Sequence, residues 1–499
     1  MRILLFDPPY ERLMGVQTTP LYPIGLSYLA ATLKQAGHEV KYINLDYEED
    51  LKIVNTFSRN ANINNFINFM SEVNNEFNNI WLLFRQFVLK YSPNIIGISC
   101  ITLKMKSVLM MARIIKEIDS EILIILGGHH ATVYAEEILK KDNNIDIIAL
   151  GEFDFGIVEV VNAIAKGNGS LYEKLRNVPG LCIRNHENRI IKTENNKYIE
   201  NLDEIPFPES AYYIEKSCVK NLPLTSMMAS RGCPYKCGYC ATTNIWGRKV
   251  RRRSPENVIK EIKYKIKTYN VHFINFYDDC FTTDKSWIIE LCERITKDKI
   301  AINWACISSV NLVDEVIFNK IVQAGCIKIN LGVETGSDRI SKLIRRTVKK
   351  ETIRQVFGYA KKYRVSTAAY FMIGFPTETL EEIRETQRFI YELSPNWVYV
   401  NVLIPLPGTE IFRICVDEDL IDEKEAWCGE LYKDLQTNYT GTMSDNKFNE
   451  LVDETFALCF KINKRPLNLF RRLPIREYIG NPARIFADSR KLISWIKVR

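Results

Sequence analysis

No apolar stretch in this 499-residue chain approaches the roughly 20 residues needed to cross a bilayer. That argues against a membrane-spanning protein. The opening Met1-Arg2-Ile3-Leu4-Leu5-Phe6-Asp7-Pro8-Pro9 is too short an apolar run for a secretory signal, and Asp7 and the prolines interrupt it. A cytoplasmic protein is expected. Cysteine is not scarce. Thirteen cysteines in such a chain fit reduced thiols better than a disulfide framework. The hydrophobic fraction of 46% and charged fraction of 25% are those of an ordinary globular protein, and the length calls for two or three domains.

Positive charge is concentrated at one end. From Lys461 to Arg499 eleven Lys or Arg stand against Glu477 and Asp488, so eleven minus two gives +9, more than the whole-chain +7. Leu467, Phe470, Tyr478, Phe486 and Trp495 are interleaved with them. Such a tail can pack as a final helical unit, lie on an anionic membrane surface or frame an anionic substrate. Peripheral membrane association therefore stays open, and no nucleic-acid partner is expected.

The first third alternates strand and helix. Strands are expected at Ile3–Phe6, Glu39–Ile43, Ile95–Ser99, Ile122–Leu126 and Ile145–Leu150, with a helix over Ile24–Ala36 stopped by Gly37. Residues 46–92 read as a helical insertion, with Phe66, Phe69, Phe77, Trp81, Leu82 and Phe84 as its buried stripe. Alternation of this kind predicts a parallel, doubly wound sheet whose ligands bind at the carboxyl ends of the strands. Those ends carry Ser99-Cys100-Ile101-Thr102, Gly127-Gly128-His129-His130 and Gly151-Glu152. Residues 166–224 read as a linker with two short strands and proline-rich turns. From 225 to 410 six further strand–helix repeats predict an open (β/α)6 barrel, with Asp278, Asp279 and Glu334 at strand ends, where barrel chemistry sits. Residues 411–499 complete the chain as a small helical, basic C-terminal domain.

The sharpest signal is Cys233-Pro234-Tyr235-Lys236-Cys237-Gly238-Tyr239-Cys240. Three thiols this close cannot all pair as disulfides, but they can face one soft metal centre. A four-iron cube normally takes four thiolates, so three leave one iron open to a small molecule. A zinc knuckle and three unrelated thiols are the alternatives. The segment lacks the paired C-x2-C units and the nearby fourth Cys or His that a knuckle usually shows.

The triplet behind Arg231-Gly232, with an aromatic residue before its last cysteine, resembles the radical SAM signature (SAM, S-adenosylmethionine). Together with Tyr277-Asp278-Asp279-Cys280-Phe281, Gly332-Val333-Glu334-Thr335-Gly336, Ile373-Gly374-Phe375-Pro376 and Pro405-Leu406-Pro407-Gly408-Thr409, and with the strand-end loops of the first domain, it resembles the cobalamin-dependent radical SAM family. The resemblance implies a [4Fe-4S] cluster held by Cys233, Cys237 and Cys240. It implies SAM contacts from Tyr239, Asp279 and Glu334, with Ser308 and Arg253 weaker candidates. It implies cobalamin contacts from Ser99, Thr102, Gly127, Gly128, Gly151 and Glu152. The family's usual Asp-x-His-x-x-Gly element is absent, because Pro9 stands at the histidine position. Bound cobalamin is therefore expected without that histidine ligand.

The implied activity is methylation of an unactivated carbon in a small-molecule, lipid or peptide substrate, with an electron donor such as flavodoxin or ferredoxin. Cyclisation, rearrangement or oxidation without methyl transfer is the alternative within enzymes, and a non-catalytic corrinoid sensor or carrier the alternative outside them.

Overall fold

The computed structural model describes residues 1–16, 22–47, 58–208, 225–429 and 436–465. The first sheet has seven strands: β1 (Arg2–Asp7), β2 (Glu39–Asn44), β3 (Ile95–Ser99), β4 (Leu123–Gly127), β5 (Ile147–Ala149), β6 (Leu181–Arg184) and β7 (Ile190–Lys192). They lie in the order β2-β1-β3-β4-β5-β6-β7. The first five are parallel, and β6 and β7 add antiparallel. Ile3 to Phe6 are buried throughout, as a parallel strand covered on both faces requires. The segment read as a linker thus supplies two strands of this sheet. Its short apolar runs disclose strands but not their partner, which lies more than thirty residues back.

The insertion forms two helices, Arg59–Glu72 capped by Ser58 and Asn79–Tyr91 capped by Asn78. Phe66, Phe69, Trp81 and Phe84 are buried as expected, but Phe77 is 86% exposed and Leu82 45%. Phe77 falls in the turn before the second cap, and Leu82 faces away from the stripe.

The second sheet is the expected six-stranded parallel barrel wall. Its strands are β8 (Ser226–Met227), β11 (Phe273–Phe276), β12 (Asn303–Ser309), β13 (Cys326–Glu334), β14 (Ser366–Ile373) and β15 (Trp397–Val402), in the order β15-β14-β13-β12-β11-β8. Between β8 and β11 a two-residue hairpin pairs β9 (Ser230–Arg231) with β10 (Arg251–Arg252). The helix Pro255–Tyr269 starts at the Ser254 cap with Pro at its first position. The helix Asp445–Asn463 buries Phe448, Leu451, Phe456 and Ile462 in the barrel's own core, and Asn463 exchanges hydrogen bonds with both backbone groups of Val398 on β15. The basic tail beyond residue 465 lies outside the described residues. No helix among the described residues is long and apolar enough to cross a membrane.

The two sheets are not independent. Ile340, Ile344, Phe375, Leu403, Ile411 and Phe412 from the barrel segment pack into the hydrophobic core of the first sheet. The carboxyl ends of both sets of strands consequently face a shared space.

Candidate active site

The cysteine loop is held at both ends. Asp278, fully buried after β11, accepts from the Ala229 amide at 3.1 Å and the Ser230 hydroxyl at 2.5 Å. Asp279 accepts from the Gly232 amide at 3.2 Å. Burial pushes both carboxyls up to about 6. Gly232 has φ +94°, and a Cβ there would meet the Lys249 carbonyl at 2.4 Å, so only glycine fits. At the far end the Gly238 amide donates to Ile344 at 3.0 Å, and Ile411 donates back to Gly238 at 2.9 Å. Cys233, Cys237 and Cys240 are free and half-buried, whereas the other free cysteines among the described residues are buried. Burial raises Cys233 to about 12 and Cys240 as well. Among the described residues no three His, Cys, Asp or Glu side chains are gathered as they are round a single metal ion. A loop offering three thiols and no imidazole fits an iron–sulfur cube by donor chemistry.

Glu334 closes β13 with φ +70°, where the ladder to β14 slips by a residue. The bulge carries the carboxylate inward, to a hydrogen bond with the Tyr239 hydroxyl. Burial, opposed by Arg346, raises Glu334. Arg346 joins the whole group: Nη1 lies 3.6 Å from Cys237 Sγ, Nη2 3.0 Å from the Gly332 carbonyl and 3.3 Å from Ser309 Oγ, and Nε 3.6 Å from Glu334. Sequence reading missed Arg346 because it belongs to none of the recognised motifs. Arg345-Arg346 in the loop after the Gly332–Gly336 motif was the only cue. Two weaker candidates have other work. Ser308 is buried against the Thr282 hydroxyl, and Arg253 pairs with Glu261 and donates to the Met228 carbonyl at 2.9 Å.

A cavity of about 1030 Å³ runs from Tyr239 and Cys240 at the end of the cysteine loop to the first sheet. Ser99, Thr102, Gly127, Gly128 and Gly151 form one wall, and Tyr239 and Cys240 part of the opposite one. A Cβ at Gly127 would meet only Ala149 at 3.8 Å, leaving open space. At Gly128, φ is +100° and a Cβ would strike the Cys100 carbonyl at 2.7 Å. The Tyr10 and Tyr28 hydroxyls, from two cavity-lining residues, are buried without a hydrogen-bond partner. A large group between the domains, offering polar atoms to both, fits this space.

Both histidines of the Gly-Gly loop are held by protein hydrogen bonds, and His129 also lines the cavity. His129 Nε2 donates to the Ala241 carbonyl at 2.7 Å, and burial lowers its basicity. His130, pushed down to about 4 by burial, is neutral. Its Nε2 donates to the Trp427 carbonyl at 2.8 Å, so Nδ1 accepts from Thr102 Oγ1 at 3.1 Å.

Glu152 also lines this cavity, with both of its carboxylate oxygens held by protein partners. One oxygen accepts from Arg231 at 2.6 Å, and the other from Arg251 at 2.5 Å and the Ile199 amide at 3.0 Å. Asp154 takes Arg231 bidentately at 2.6 and 2.9 Å. The four side chains are at most 6% exposed. Arg231 also lies over the Trp246 ring at 4.6 Å. Glu152 follows Gly151 of one domain, and Arg231 comes two residues before Cys233 of the other. The network thus ties a strand-end loop of the first sheet to the start of the cysteine loop.

Comparison with known proteins agrees with this geometry. Residues 227–390 match the Radical SAM superfamily and residues 82–161 the B12 binding domain. An uncharacterised methyltransferase of Pyrococcus horikoshii is 30% identical over 427 residues, 84% of each chain. The anaerobic magnesium-protoporphyrin IX monomethyl ester cyclase of Rubrivivax gelatinosus is 26% identical over 336 residues, 66% of this chain and 60% of the cyclase. The fold is shared with TsrM, a radical S-adenosylmethionine methyltransferase from Kitasatospora setae, at TM-score 0.65 and 15% identity over 84% of this chain and 76% of that one. The chain belongs to the cobalamin-dependent radical SAM family, in its methyltransferase-like branch. It is an enzyme whose cofactors are a [4Fe-4S] cluster, SAM and cobalamin.

Proposed function

We propose that the enzyme methylates an unactivated carbon of a small molecule held in the cavity between the two domains. The observation that carries this reading is the cavity itself, which has the glycine loops of one domain and the cysteine loop of the other on its walls. Cys233, Cys237 and Cys240 hold the cluster. Glu334, Tyr239 and Asp279, with Arg346, surround the SAM position. Ser99, Thr102, Gly127, Gly128 and Gly151 border the cobalamin. When bound, these groups supply a radical that removes a substrate hydrogen and a methyl group to replace it.

The residues do the rest. Arg346 stands between Cys237 and Glu334 and neutralises charge at both. Thr102 is fixed by neutral His130 with its lone pairs directed by that bond. Arg231, Glu152 and Asp154 hold the two loops in register, so that the reacting carbon meets both cofactors in one pose. Met372, Val402, Leu403 and Ile404 give one flank of the cavity an apolar surface that excludes water.

The cyclase relative favours a second reading, radical chemistry without methylation. Product mass separates the two, because methylation adds one carbon and cyclisation none. The reading needs an external one-electron donor and a reducing compartment. In the test, the reconstituted protein, SAM, cobalamin and a cell extract are incubated anaerobically, and the products are read by mass for an added methyl group.

A further inference from the structure

A second cavity, of about 610 Å³, lies behind the Gly-Gly loop and shares no lining residue with the first. Val133, Tyr134 and Glu137, which follow the two histidines, form one side. The other side is the start of the helix Glu410–Asp417, with Phe412 and Arg413, and the short 3-10 helix Glu423–Cys428, with Lys424 and Trp427. His130 stands between the two cavities. Its Nε2 donates to the Trp427 carbonyl, its ring lies 5.1 Å from that of Tyr134, and its Nδ1 meets Thr102 on the wall of the first cavity. Two polar atoms of the lining residues lack a partner: the Tyr134 hydroxyl and the Trp427 indole N–H are buried and unbonded, and Tyr134 is 7% exposed. A buried donor left unsatisfied is destabilising, and an indole N–H can only donate. Whatever satisfies it must bring an acceptor.

The charges around this space have both signs. Arg413 pairs with Glu423 at 3.3 Å, and Glu410 pairs with Arg345. Glu137 and Lys424 are exposed and form no ion pair among the described residues. Burial raises the Tyr134 phenol, Glu423 and Glu137 raise it further and Arg413 opposes them, so these charges act on one point. A simple anion would satisfy the indole N–H and Lys424 but meet the carboxylates of Glu137 and Glu423. A simple cation would suit those carboxylates and leave the indole N–H without an acceptor. We propose that this cavity binds a small zwitterion, an α-amino acid, with its carboxylate toward Trp427, Tyr134 and Lys424 and its ammonium toward Glu137. The rings of Tyr134, Phe412 and Trp427 offer its side chain an apolar surface. The site is separate from the reaction cavity, and the proposal stands on its own walls, not on the methylation reading.

The test titrates the full chain, reconstituted with its cofactors and saturated with SAM, with each protein amino acid singly in a calorimeter. Saturation keeps the probes out of the SAM position. At least one amino acid binds one to one with Kd of about 1 mM or tighter. Its amide, which lacks the carboxylate, and its N-acetyl derivative, which lacks the ammonium, each bind about tenfold more weakly or worse. Trp427→Phe keeps the ring and removes the N–H, while Lys424→Ala and Glu137→Gln change exposed positions. Each weakens binding by about fivefold or more at an unchanged melting temperature. Absence of binding by every amino acid overturns the proposal. So does binding that survives all three substitutions, which places the probe elsewhere on the protein. Equal affinity for the amide or the N-acetyl derivative also overturns it, because the site then takes a simple cation or a simple anion. Failure to load the cofactors contradicts the functional reading instead, and the three variants still decide this one.

Discussion

Two adjacent glycines serve different ends. Gly128 is left-handed and packed on the Cys100 backbone, so Gly128→Ala strains φ and drives a methyl into a carbonyl. Gly127 faces open cavity. Gly127→Leu is therefore expected to keep the wild-type melting temperature and lose cobalamin binding, while Gly128→Ala lowers stability by roughly 1–3 kcal/mol. Thermal melts and gel-filtered cobalamin spectra separate the two, and equal melting temperatures contradict the assignment. Arg346 is the residue that motif reading could not find. A guanidinium 3.6 Å from Cys237 Sγ withdraws charge from that sulfur. Arg346→Met should make the bound cluster harder to reduce, measurable in an anaerobic potentiometric titration, and an unchanged potential removes Arg346 from the cluster's surroundings. The cysteine triplet was fully legible because all its members fall within eight consecutive residues. Arg346 and the partners of Glu152 were not, because they meet their targets only through the fold.

At the scale of elements, the glycine-proline turn after β14 depends on Glu378. It is fully buried, accepts from the Gly374 amide at 2.6 Å and the Phe375 amide at 3.1 Å, and is pushed up to about 8 by burial. Its folded pKa lies above the ordinary 4.5, so the folded state holds the proton more tightly. That contribution is fully present below the unfolded pKa and is lost as pH rises through 8. Wild-type stability should fall between about pH 4.5 and 8 by on the order of a few kcal/mol relative to Glu378→Gln, which keeps the acceptor without the charge, and level off above that range. Parallel melting curves for the two proteins across that range would refute this. The six barrel strands were legible from their regular alternation with helices. The β9–β10 hairpin was not, since strands of two residues carry no periodicity. The place of β6 and β7 was not legible either, because antiparallel pairing with β5 is a long-range choice.

For the molecule as a whole, the two domains act together only if their loops keep a fixed separation. The apolar packing of Ile340, Phe375 and Ile411 on the first core joins the two domains. The Arg231–Glu152–Asp154–Arg251 network fixes the loops themselves. Glu152→Gln leaves a buried guanidinium short of one charge and should cost about 3–5 kcal/mol. The same variant should still load both cofactors, because Glu152 touches neither in this reading. Loss of cobalamin binding with an unchanged melting temperature would return Glu152 to the cofactor site. The most direct test of the central claim is mass analysis of an anaerobic reaction containing the reconstituted protein, cobalamin, a reductant, a cell extract and SAM deuterated in its methyl group. The account expects 5′-deoxyadenosine together with a small molecule that has gained the labelled methyl on carbon. Release of 5′-deoxyadenosine with no label transferred to carbon would contradict it.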